Sequence, residues 1–136
     1  MALSDPSASW NFELADSELA ALQHEGPGRL RLLLAAALLR DADGRPGHAP
    51  GLVLTLDGDA RASGEASPGR LRDGRLGCAG QWHRAFAVPG RWQAADGQPL
   101  QLELVGPWGE RLLLSAQRLQ ADFADGRIDW RPWLHC

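Results

Sequence analysis

Leu100, Leu102 and Leu104 alternate with Gln101 and Glu103, and Leu112, Leu114 and Ala116 alternate with Arg111, Leu113 and Ser115. This is the two-residue period of a half-buried strand on either side of a turn. Between them, Gly106-Pro107-Trp108-Gly109-Glu110 suits a three-residue hairpin loop. Proline presets φ at the first turn position, and Gly109 can take the left-handed conformation that ends the loop. Closing the loop sets Gly106 opposite Glu110, Leu104 opposite Leu112 and Leu102 opposite Leu114. Turn chemistry and apolar pattern choose the same register.

The same period extends to most of the chain. Trp10, Phe12 and Leu14 predict a short first strand, and Asp16-Ser17-Glu18 then reads as a capped start of one brief helix near residues 16–24, stopped by Gly26-Pro27-Gly28. Residues 29–40, RLRLLLAAALLR, have helical propensity. Their leucines share one parity, however, and a helix here would be apolar nearly all round, so the segment is read as a strand. Residues 41–51 are a loop, Leu52, Leu54 and Leu56 mark another strand, and residues 59–69 are a ragged edge or a long connection. Asp73-Gly74 is read as a two-residue hairpin turn pairing Arg72 with Arg75 and Leu71 with Leu76. Cys78, Trp82, Phe86 and Val88 then share a face, and residues 90–99 form another irregular connection.

The apolar parity changes after Ala116, which predicts a β-bulge near Ala116 to Arg118. Asp125-Gly126 closes a last hairpin with Phe123 facing Ile128 and Ala121 facing Trp130, so that residues 100–130 form a three-stranded unit. The Asp-Gly pairs at Asp57 and Asp96 set apolar against polar residues and are read as loops, and the pair at Asp43 predicts nothing. The expected fold of residues 1–136 is a single all-β or β-rich domain. It has about seven to eight mainly antiparallel strands in meander order, as a barrel or a two-layer sandwich.

Composition changes this picture little. Only three valines, one isoleucine and one threonine supply β-branching, so the strands rest on period and turns. All 14 basic residues are arginine, and with leucine and alanine so frequent this reads as a GC-rich, bacterial-type codon bias. A net charge of -3 argues against a protein that neutralises nucleic-acid phosphates. The start lacks a basic and then apolar leader, and the longest apolar run is too short to span a bilayer, so a cytoplasmic protein is expected. Two cysteines make no disulfide framework there.

Candidate chemistry is sparse. No nucleophile elbow or phosphate loop is present, and without lysine there is no Schiff-base chemistry. Cys78, His83, His135 and Cys136 do not form a zinc pattern, since a regular strand puts Cys78 and His83 on opposite faces. No enzyme activity, metal or cofactor is expected. The last hairpin sets Asp122 opposite Asp129, a like-charge pair that a cation or partner must offset or that lies on a solvated face. Arg70, Arg72 and Arg75 cluster at the Asp73-Gly74 turn. They dock an anion or an acidic partner, or pair with the N-terminal segment, whose first 28 residues hold five acids and no base. Trp82 and Trp130 fall on core parity, whereas Trp108 at the hairpin tip is exposed and suited to anchor a partner.

These features point to a non-catalytic module binding another protein or itself as a homodimer, through Trp108, sheet edges and the arginine hairpin. A small-molecule or lipid-binding β-barrel is the alternative. An acidic start followed by strands and Asp-Gly turns also resembles small bacterial β-rich proteins, some of which neutralise toxins by binding them. No membrane and no nucleic acid is expected as partner.

Overall fold

The computed structural model describes residues 9–95 and 97–133, and every one of its regular elements is a strand. The first strand, β1 (Trp10–His24), turns at Glu25 to Gly28 into β2 (Arg29–Arg40), and the two pair antiparallel along most of their length. Residues 29–40 are thus extended, with Leu30, Leu32 and Leu34 buried on one face.

The expected helix near residues 16–24 is absent, because the residues that resemble a helix cap build a β-bulge instead. Asp16 takes φ +68, a left-handed conformation that aspartate tolerates, and the register with β2 shifts between Glu13 and Glu18. Ser17, the buried polar side chain of the core, fills the gap. Its hydroxyl donates to the Glu13 carbonyl (2.6 Å) and accepts from the Leu38 N–H (2.8 Å). Phe12 and Leu14 before the bulge and Leu19 after it all point into the core, although their parity differs.

The β1–β2 hairpin is the spine of a nine-stranded antiparallel sheet. β3 (Pro46–Ala49) and β4 (Leu52–Asp57) pair with successive halves of β2. A five-stranded sheet begins at β5 (Arg61–Gly64), a fully exposed edge, while β6 (Gly69–Arg70) pairs back on β1. β7 (Asp73–Cys78) and β8 (Gln81–His83) join the five-stranded sheet, and β9 (Ala85–Val88) and β10 (Gly90–Gln93) the larger one. β11 (Leu100–Val105) and β12 (Arg111–Ala116) complete the smaller sheet, with the expected pairs Leu104 to Leu112 and Leu102 to Leu114. β13 (Arg118–Phe123) lies between β4 and β10, and β14 (Arg131–Pro132) pairs with β3.

The larger sheet runs β10-β13-β4-β2-β1-β6 and the smaller β5-β12-β11-β7-β8, so most neighbours are distant in sequence and the expected meander is replaced by crossovers. The two sheets are not closed into a barrel. They share one core, with Phe12, Leu32 and Leu54 from one layer against Leu76, Leu102 and Leu114 from the other, as in a two-layer sandwich. Among the described residues no helix is long and apolar enough to cross a membrane.

Two expected hairpins are corrected. Asp73-Gly74 is no turn: both residues lie in β7, with Gly74 opposite Leu104. A Cβ on Gly74 would come within 2.5 Å of Leu14 Cβ, so this glycine is where the two sheets approach closely. At Asp125-Gly126 the chain does turn, with the Gly126 N–H on the Phe123 carbonyl, but it does not return along β13. That strand pairs with β4, setting Ala121 opposite Leu54 and Asp122 opposite Val53. Residues 100–130 are therefore no three-stranded unit. The parity change at Ala116 to Arg118 is real, but its cause is a crossing between sheets, since β12 belongs to one layer and β13 to the other.

Replacing Ser17 tests the bulge directly. Ser17→Ala leaves the buried Leu38 N–H without an acceptor, and a loss of about 1–3 kcal/mol is expected in urea unfolding. A change below about 0.5 kcal/mol would show that the hydroxyl does not hold the strand.

Candidate functional site

The hairpin tip between β11 and β12 gathers the strongest features of the surface. The Gly106 N–H donates to the Glu110 carbonyl (2.8 Å) and the Gly109 N–H to the Gly106 carbonyl (3.1 Å), with Gly109 at φ +83 as its turn position requires. The Glu110 carboxylate then locks the turn from the side. One oxygen accepts the Trp108 N–H (2.8 Å) and the other the Ser67 N–H (3.0 Å). Hydrogen bonding from the Ser67 side chain, with the N–H groups of Glu110, Ser67 and Trp108, outweighs partial desolvation and holds the carboxyl at a pKa of about 2. On this stiff loop Trp108 stands 83% exposed.

The segment that carries β6 runs beside the tip. Gly69 packs against Pro107, the Arg72 N–H donates to the Val105 carbonyl (2.9 Å), and the Arg72 guanidinium lies beside Gly109. Arg70 turns the other way and pairs with Asp16 of the bulge at 2.8 Å. Among the described residues, Arg72 and Arg111 have no carboxylate partner. The tip is therefore an exposed tryptophan on a hydrogen-bonded turn, with exposed guanidiniums beside it.

The remaining residues singled out from the sequence lie elsewhere. Arg75 is on the outward face of the five-stranded sheet, pairing with Glu103 (3.0 Å) and stacking over Trp82 at 3.8 Å from the ring centre. It does not face Arg72, because the turn that would bring them together does not exist. Asp122 and Asp129 are likewise not opposite each other. Asp122 accepts from the Gln120 amide on the outward face of β13, and Asp129 pairs with Arg131 at 3.6 Å.

Trp82 is corrected from core to surface, 43% exposed at the edge strand β8. Trp130 packs partly buried on the core, its indole N–H donating to the Leu39 carbonyl (3.0 Å). Trp133, unplaced by the pattern, donates to His48 Nδ1 (2.6 Å), and Trp92 packs edge-on against Phe86. Cys78 is a free thiol, while His135 and Cys136 lie outside the described residues, as does Asp96. Among the described residues no group of three or more His, Cys, Asp or Glu side chains is placed to hold a metal.

Sequence reasoning missed Glu110. The available signal was an acid directly after the glycine that ends the loop, where its carboxylate can reach back to turn N–H groups. No family model, curated protein or solved structure matches the chain.

Glu110 gives a pH dependence with a definite sign. Its folded-state pKa of about 2 lies below the ordinary 4.5, so its contribution is complete above about pH 4.5 and is lost as pH falls toward 2. Glu110→Gln should unfold earlier in denaturant at pH 7, and its deficit against wild type should shrink on acidification through this window. A deficit that does not change with pH would assign the role to side-chain shape and not to charge.

Proposed function

We propose that the chain is a non-catalytic module that binds another protein, with Trp108 as the anchor. One observation carries this reading. Among the described residues, the exposed large apolar side chains, Trp82, Trp108 and Leu113, all belong to the five-stranded sheet, two on its outward side and one at its tip. Tryptophan and arginine together are the residue types that dominate binding energy at protein interfaces. The partner that fits has an apolar pocket for the indole, rimmed by carboxylates that meet Arg72 and Arg111. A cytoplasmic setting, where Cys78 stays reduced, goes with this reading.

The test is affinity capture from the native cell with wild-type protein and a Trp108→Ala variant. The exposed position predicts unchanged thermal stability for the variant. Expected is a partner held by the wild type and lost from the variant, with binding of the purified pair weakened by about 2 kcal/mol or more, some thirtyfold. Equal retention by both proteins would remove Trp108 as anchor. A dimer in light scattering that Trp108→Ala converts to monomer would reassign the anchor to a second copy.

A further inference from the structure

The outward face of the nine-stranded sheet carries a second concentration of charge, unrelated to the tip. The strand registers fix its layout. Arg29, Asp57, Arg118 and Gln93 stand side by side across β2, β4, β13 and β10, and Arg31, Thr55, Gln120 and Arg91 form the adjoining row. Neighbouring strands are about 4.8 Å apart, so long side chains in adjacent rows reach one another. Beside these rows is an open hollow of about 310 Å³, lined by Arg29, Arg91 and Arg118 together with Asp57, Thr55 and Gln120.

The charges in this wall do not balance. Asp57 stands between two arginines, pairing with Arg118 at 3.5 Å, and it also accepts the Gly58 N–H at 2.7 Å. That N–H, with Arg118 and Arg29, holds its carboxyl below the usual carboxylate range, so the one acid is ionised and shared. Glu25 serves Arg31 at 2.9 Å and Arg29 at 3.5 Å. Arg91 has no carboxylate partner among the described residues. With Arg31, four guanidiniums on this face stand against Asp57, Glu25 and Asp122, which accepts from the Gln120 amide, so Arg91 is the cation in excess in a chain whose net charge is -3.

We infer that this hollow binds a small phosphate monoester, its phosphate held by Arg91 and Arg118 and its organic part laid against Thr55, Gln93 and Gln120. A monoester phosphate brings between one and two negative charges, which meet Arg91, without a carboxylate partner among the described residues, and Arg118, whose one partner Asp57 is shared with Arg29. Guanidinium forks match phosphate oxygens two at a time. The volume is at the lower end of small-molecule clefts, larger than a bare phosphate needs, and the neutral amides and hydroxyl suit the hydroxyl groups of a sugar. The roomier hollow beside Trp82, about 390 Å³, is lined by backbone and uncharged side chains and has no charge with which to select a ligand.

Calorimetric titration of the full chain at fixed ionic strength tests this, with a nucleoside monophosphate, the same nucleoside without phosphate, inorganic phosphate and a short oligonucleotide as probes. Expected is saturable one-to-one binding of the monophosphate and none of the nucleoside. Arg91→Ala and Arg118→Ala should each weaken binding about tenfold or more, with Arg91→Lys intermediate and Arg127→Ala, at an exposed position after the last long strand, unchanged. Circular dichroism establishes that each variant is folded. No saturable binding of the monophosphate, or an equal loss in Arg127→Ala, would overturn the site. Inorganic phosphate binding as tightly as the monophosphate would overturn the monoester, and tighter binding of an oligonucleotide would give the face to a polyanion.

Discussion

A single hydroxyl at the bulge of β1 is the constraint on which the rest of the sandwich depends. A strand running from Trp10 to His24 twists too far to keep one face inward without a break in register, and the break falls at Asp16 and Ser17. Ser17 supplies the acceptor that the Leu38 N–H would otherwise lack, so β1 and β2 stay joined across the gap. Before the bulge β1 pairs with β9, and after it with β6. The bulge also turns backbone groups sideways: the Asp16 N–H donates to the Leu71 carbonyl (3.0 Å) and the Leu71 N–H to the Ser17 carbonyl (2.8 Å). One residue further, Arg72 donates to Val105 at the base of the Trp108 hairpin. A short run of backbone hydrogen bonds thus leads from a buried serine to the exposed tip and ties the two sheets together on the way.

What was legible in the sequence is what short range decides. The hairpin of β11 and β12 was readable to the residue because its turn and its leucines are neighbours and agree. β2 was readable from parity despite a helix-favouring composition. The failures share one cause, which is that a local signal has more than one use. Asp16-Ser17-Glu18 offers side-chain oxygens to nearby backbone, and that serves a bulge as well as a helix cap. Gly74 follows an aspartate as a turn glycine does, but it is needed for room beside Leu14, a neighbour only in the folded chain. The parity change near Gln117 is plain in the sequence, yet parity alone does not separate a bulge within one sheet from a crossing between two.

The candidate sites divide along the same line. Trp108 was readable because a tryptophan between proline and glycine at a hairpin tip has nowhere to be buried. That Arg72 lies near it follows from the contact of Gly69 with Pro107 and the bond of Arg72 to Val105, whereas the pairing with β1 draws Arg70 to Asp16 and Arg75 leaves the group because β7 continues straight. The hollow between Arg29, Arg91 and Arg118 was beyond reach, since three registers between distant strands place those side chains together. Each arginine alone reads as a solvated residue on the polar face of its strand.

The two surfaces also differ in how much order they hold before anything binds, and this bears on what each is suited to. At the tip, Glu110 fixes both the Trp108 and the Ser67 backbone, so the proposed anchor would have little backbone freedom left to lose on docking. An apolar side chain on a backbone held in this way would suit a preformed pocket of matching shape. In the hollow the reverse holds. Arg91 and Arg118 are long, exposed side chains whose ordering on binding costs about 0.5–1.5 kcal/mol each. Only a ligand with strong, concentrated charge offsets that cost. Neutral polar molecules would gain too little from two exposed guanidiniums, one already shared with Asp57, whereas a phosphate would gain charge-assisted bonds from both at once.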